Sequence, residues 1–143
     1  MDKALNYLSI ARKAGLAELG EEPVAAAARD CHAALVLVAQ DASDHTWRRA
    51  KSLVAGTNQQ CLRLKNTKDE MGMAIGRTSL AVAAITDPAL ALSLVEALPE
   101  AHTDVTQVLQ ERVRRLRQRS REEKAHQRNK RMGRTKAPGK KNG

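Results

Sequence analysis

The run Ala34-Leu35-Val36-Leu37-Val38-Ala39 has no polar residue and no alternation. A strand with one wet face alternates apolar and polar side chains, whereas a strand covered on both faces reads as continuous apolar sequence. The length and β-branched content of this run predict such a doubly covered strand. A second run, Leu80-Ala81-Val82-Ala83-Ala84-Ile85, reads the same way. Two strands of this kind require helices on both faces of one sheet.

The flanking sequence supplies those helices. Asp41-Ala42-Ser43-Asp44 is a turn and cap. It leads into a helix from about Asp44 to Ala55, with Trp47, Ala50 and Val54 on one face and Gly56-Thr57-Asn58 at its end. Gln60 to Leu64 alternates as a short strand. Asn66-Thr67 caps a helix through Ile75, which Gly76 ends. Upstream, Asp2 to Ala14 is a capped amphipathic helix with Leu5, Leu8 and Ala11 on its apolar face and Gly15 at its end. Leu16 to Leu19 is a short strand. Gly20-Glu21-Glu22-Pro23 starts a helix that continues to Cys31, with proline and acids in the first turn where the dipole favours them. Downstream, Asp87-Pro88 opens a helix over Ala89 to Leu98, and Pro99 closes the body. Strands separated by helical segments predict an α/β layered sheet with helices on both faces.

The chain has 143 residues and a formal net charge of +9. That charge is unevenly placed. Residues 1–100 hold 11 Lys/Arg against 12 Asp/Glu, whereas residues 101–143 hold 14 against 4. A near-neutral body therefore carries a strongly basic arm, the asymmetry of a nucleic-acid or anionic-surface binder. Three segments are expected: a folded domain at 1–99, a basic amphipathic helix at 100–128, and a disordered basic tail at 129–143. In the middle segment Val105, Val108, Leu109, Val113 and Leu116 form a narrow apolar stripe. Arg112, Arg114, Arg115, Arg117, Arg119 and Arg121 fill the rest of its surface. Arginine forks suit phosphate, but a basic helix cannot choose a sequence.

Several classes are excluded. No stretch approaches the ~20 apolar residues that span a bilayer, and the first residues lack the basic and apolar regions of a signal peptide. A soluble cytoplasmic protein is expected, with Cys31 and Cys61 as buried thiols. The only aromatic residues are Tyr7 and Trp47, too few for a base-stacking platform. Trp47 is expected at the edge of the core.

No catalytic set converges. Asp41, Ser43 and His45 alternate within one turn, and triad members come from separate segments; they are expected to cap helices. His32, His45, His102 and His126 lack zinc-ligand spacing. There is no GxGxxG or GxxxxGK fingerprint. The sequence predicts no enzyme, no cofactor, no metal and no small-molecule substrate. Gly72 is expected to permit close helix–sheet packing, and Gly76 to cap.

Three stretches together resemble a known family. They are Tyr7 to Leu16 followed by Gly20-Glu21-Glu22, Leu35 to Ser43, and Glu70 to Arg77 followed by Val82 to Asp87. Over roughly residues 4–98 their order and spacing resemble bacterial YlxQ-type proteins of the "L-seven-Ae" ribosomal protein superfamily, which binds kink-turn RNA. The resemblance implies a three-layer α-β-α sandwich with a four-stranded mixed sheet. It also implies RNA contacts at two elements. The first is the start of the second helix, at Gly20, Glu21 and Glu22. The second is the loop before the last strand, at Ile75, Gly76, Arg77, Thr78 and Ser79. Where the family usually has a polar pair this chain has Glu22-Pro23, and where it usually has lysine this chain has Ala26.

The expected function is therefore non-enzymatic RNA binding, ribosomal or ribosome-associated, by a chain that is monomeric when free. The body docks on structured RNA and the arm grips phosphates. The alternative is a protein-interaction module that uses the Val105–Leu116 stripe, with RNA contact non-specific.

Overall fold

The computed structural model describes residues 2–133. Helix α1 spans Lys3–Lys13, strand β1 Ala17–Leu19, helix α2 Glu21–Arg29 and strand β2 Leu35–Val38. Helix α3 (Asp44–Val54), strand β3 (Gln60–Arg63), helix α4 (Lys68–Ala74), strand β4 (Val82–Ile85) and helix α5 (Pro88–Glu96) follow. Helix α6 runs Thr103–Gly133. The strands form one sheet in the order β1-β4-β2-β3. Only β2 and β3 are parallel; β4 is antiparallel to both of its neighbours.

The two apolar runs become the two central strands. Every residue of β2 and β4 is buried. Helices α1, α4 and α5 pack together as one layer, and α2 and α3 as the other. This is the expected three-layer sandwich with a mixed sheet. The helix starts follow the sequence closely. Asp2, Ser43, Thr67 and Asp87 accept backbone amides at the starts of α1, α3, α4 and α5. Thr67 and Glu70 complete a reciprocal capping box. Of Asp41, Ser43 and His45, two act at helix starts: Ser43 caps α3, and Asp41 Oδ1 accepts from the Lys68 amide at the start of α4 at 2.8 Å, whereas His45 lies within α3 itself.

One buried polar side chain staples the layers. Gln59 is 1% exposed. Its Nε2 donates to the Ala28 carbonyl at 3.1 Å, and its Oε1 accepts from the Ala33 amide at 3.0 Å. Gln59 thus bridges both sides of the α2–β2 turn, where Cys31 adopts φ 58. That left-handed conformation strains a residue with a Cβ, and the staple holds it in place. The turn also corrects the expectation for the thiols: Cys31 is exposed and Cys61 is half-buried, because Cys31 sits at the outer bend of a turn.

Two compact units divide at Gln110. The first two turns of α6 belong to the body, because Leu109 is fully buried in its core and Val105 packs against it. The composition-based boundary at residue 99 therefore falls before the last core contact. In the second unit α6 continues unbroken past residue 128, so residues 129–133 are helical rather than part of a disordered tail. Residues 134–143 of that expected tail lie outside the described residues. Arginine and glutamine have high helix propensity, and the Gly and Pro residues that would stop the helix come only at its end.

Leu109→Ala should destabilise the body by about 2–5 kcal/mol, as for other fully buried leucines. Leu116→Ala, at a position 42% exposed, should change stability by less than ~0.5 kcal/mol. Denaturant unfolding of the two variants measures both.

Candidate nucleic-acid interface

The register brings three strand ends and one strand start to the same end of the sheet. Leu19 of β1 pairs with Ala83, Val38 of β2 with Val82, and Val38 also with Arg63 of β3. Just beyond Leu19, the Gly20 amide donates to the Val82 carbonyl at 3.0 Å. The start of α2 is thus tied to the start of β4, and so to the loop at 76–81 that feeds it. The two elements implied by the resemblance are neighbours.

Gly20 has φ 95 and ψ 168, a conformation open to glycine alone. It offers no side-chain cap, unlike the cap residues of α1, α3, α4 and α5. Val24 is the first residue of α2 whose amide closes a turn, donating to Gly20 O at 3.1 Å. Pro23 has no amide. The amides of Glu21 and Glu22 are therefore the two donors that this helix end presents to a ligand.

The loop is held by backbone. Gly76 takes φ 77. The Arg77 amide donates to Gly72 O at 2.8 Å and the Leu80 amide to Lys68 O at 2.9 Å, so the chain doubles back along α4. A Cβ on Gly72 would lie 2.5 Å from Ser79 N and 2.7 Å from Ser79 Cα. Gly72 is therefore small because the loop lies on it; the expected close approach of helix to sheet is instead helix to loop. Ile75 and Leu80, each 3% exposed, anchor the loop in the core. Ile75 thus stands beneath the surface rather than on it. Arg77, Thr78 and Ser79 are exposed.

Sequence reasoning missed Arg49. From α3 it reaches Glu21 Oε1 at 3.2 Å and Glu22 Oε2 at 3.6 Å. Such exposed pairs contribute little stability, but they place a cation between two carboxylates beside the presented amides. The negative charge of the α2 start is thus reduced, from two acids to a net of one, where an incoming phosphate would meet it. No local pattern marks Arg49; only the packing of α2 on α3 brings it there. Pro23 and Ala26, the two departures from the family pattern, are both exposed.

In the second unit the six arginines at positions 112 to 121 cover most of the helix surface and leave one arc to Val113 and Leu116, as their helical spacing dictates. Glu111 Oε1 and Oε2 accept from Arg114 Nε and Nη2 at 3.1 and 2.6 Å, and Oε2 also accepts from Arg115 Nε at 2.8 Å. The hydrogen bonds from Arg114 and then Arg115 hold the Glu111 carboxyl down at about 2, so it is charged at any neutral pH and partly masks both arginines. Among the described residues Arg117, Arg119 and Arg121 have no acidic partner.

The sandwich has solved counterparts. A Bacillus halodurans protein of unknown function matches with a TM-score of 0.64 and 25% identity, over 70% of this chain and 100% of that one. A Giardia lamblia 15.5kD RNA binding protein matches with a TM-score of 0.56 and 18% identity, over 66% of this chain and 81% of that one. No family model and no curated protein matches the chain. The second likeness establishes a shared fold. No described helix is long and apolar enough to cross a membrane.

Gly72→Ala must push the 78–79 backbone outward. It should lower stability by about 1–3 kcal/mol, as overpacking does, and broaden or shift the Arg77 to Ser79 amide resonances. Calorimetry and amide NMR measure the two effects.

Proposed function

We propose that this chain is a non-enzymatic RNA-binding protein, ribosomal or ribosome-associated and cytoplasmic, of the YlxQ type within the "L-seven-Ae" superfamily. The observation that carries the reading is the Gly20–Val82 hydrogen bond. It sets an uncapped helix N-terminus beside a backbone-held loop with three exposed polar side chains. The shared fold with an RNA binding protein supports it. In this reading the Glu21 and Glu22 amides meet RNA oxygens, while Arg77, Thr78 and Ser79 line the loop side of a bent, kink-turn-like element. The body is near neutral, so it recognises shape through a few directed donors rather than through bulk charge. Lysine is absent at Ala26, and the arm supplies the missing attraction: Arg112, Arg114, Arg115, Arg117, Arg119 and Arg121 grip phosphates without selecting them.

The alternative of a protein-docking stripe is weakened because Leu109 and Val105, two of its five residues, serve the chain's own core.

Binding measured on kink-turn and straight-duplex RNAs tests the division of labour. Arg77→Ala should weaken the kink-turn complex several-fold and leave the duplex complex nearly unchanged; equal loss on both would reduce Arg77 to a generic charge. Glu111→Gln should strengthen binding to both RNAs alike and steepen the salt dependence by up to about two units of log–log slope, about one per freed arginine. Arg49→Ala should weaken kink-turn binding with little change in stability, because it leaves Glu21 and Glu22 uncountered. If that variant bound the kink-turn better, the proposed contact at the α2 start would be wrong.

A further inference from the structure

The protein's single tryptophan lies outside the site just described. Trp47, in the second turn of α3, is half-buried against the open edge of the sheet formed by β3. Lys51 Nζ lies 5.3 Å and Arg63 Cζ 5.1 Å from its ring centroid. Lys51 comes from the next turn of α3 and Arg63 from the end of β3. Both are exposed, and Arg48, next to Trp47 in sequence, is exposed too. Among the described residues none of these three cations has an acidic partner. Asp44, in the first turn of α3, is the one acid on that helix.

A lone surface cation is mobile and solvated. Two cations laid across one indole ring are held by the ring quadrupole, and they lose less freedom on gripping a ligand. An arginine resting on an aromatic face also keeps its outer face for stacking, and its fork suits phosphate. Cationic heads with a flat stacking surface match a nucleic-acid strand, which carries both phosphates and bases. The carboxylates of an acidic peptide carry charge but bring no ring to stack.

Position decides which strand. Arg63 pairs with Val38, Val38 with Val82, and the Val82 carbonyl holds the Gly20 amide. These four residues form one row across the end of the sheet, three strand steps long. At about 4.8 Å per step the row spans about 14 Å, within reach of one bound RNA.

We propose that Trp47, Lys51 and Arg63, with Arg48, form a second RNA-backbone contact at the β3 edge, which extends the interface from Gly20 across the end of the sheet. This rests on the RNA-binding reading above. One RNA then touches the α2 start and the 76–79 loop at one edge and the tryptophan patch at the other. Bound phosphates meet Lys51 and Arg63, and a neighbouring base stacks on the Arg63 guanidinium over the indole.

The full chain, titrated with a fluorescently labelled kink-turn RNA, gives two independent readouts: RNA anisotropy reports binding anywhere, and tryptophan emission reports Trp47 alone. Emission should change saturably with the same midpoint as anisotropy. The Lys51→Gln, Arg63→Gln double variant, with its fold checked by circular dichroism, should bind several-fold more weakly and with a salt slope shallower by about two, about one per lost phosphate contact. Arg77→Ala should weaken binding but keep the emission change at saturation. Bound RNA with unchanged emission, or unchanged affinity in the folded double variant, overturns this contact and leaves the RNA-binding reading standing. An equal emission change with polyglutamate of matched charge overturns the assignment to RNA. Absence of any anisotropy change overturns both readings.

Discussion

Strands β2 and β4 lie side by side at the centre of the sheet, and all of their residues are out of water. Most other features follow from that double burial. Apolar area removed from water contributes roughly 25 cal/mol per Å², and a strand with two apolar faces gains it only if helices cover both. The chain therefore alternates helix and strand and distributes α1, α4 and α5 to one layer and α2 and α3 to the other. Since β4 runs against β2 and β1, the end of β1, the end of β2 and the start of β4 coincide. The connections at that end are forced together, and there the α2 start meets the 76–81 loop.

The same physics explains what the sequence revealed. Leu35 to Val38 and Val82 to Ile85 were legible because unbroken apolar runs have one economical explanation. Helix starts were legible because Asp2, Ser43, Thr67 and Asp87 act on amides two or three residues away. What stayed hidden depends on partners distant in sequence. Arg49 lies 28 residues from Glu21, with which it pairs. Gly72 looks like a packing glycine for a sheet until the 78–79 backbone is seen against it. The end of the body is hard to read from composition because α6 is densely basic after residue 111, while Leu109, just before it, is core. Cys31 looked like a buried thiol because cysteine usually is one, yet a turn set by Gln59 exposes it.

In the candidate site, the residues legible in sequence are the backbone-shaping ones. Gly20 and Gly76 have positive φ, and each sets the path of an element end. The electrostatic setting was not legible. Arg49 offsets part of the negative charge of Glu21 and Glu22, and only the tertiary packing brings it there. In the arm the count of arginines overstates the available charge, because Glu111 engages two of them. Bulk charge and directed donors are thus kept on separate parts of the chain. In the proposed reading the arm attracts any polyanion, with an affinity that falls steeply with salt, and the body adds geometry where the arm has none.

The proposed function requires the body itself to read bent RNA at the α2 start and the 76–79 loop. Amide chemical-shift mapping of the full chain, with a kink-turn RNA added at salt high enough to suppress the arm, tests this. The largest shifts are expected at Gly20 to Glu22 and Gly76 to Ser79, and none of that size with a straight duplex. Shifts confined to α6 beyond Gln110, or the same pattern for both RNAs, would contradict it.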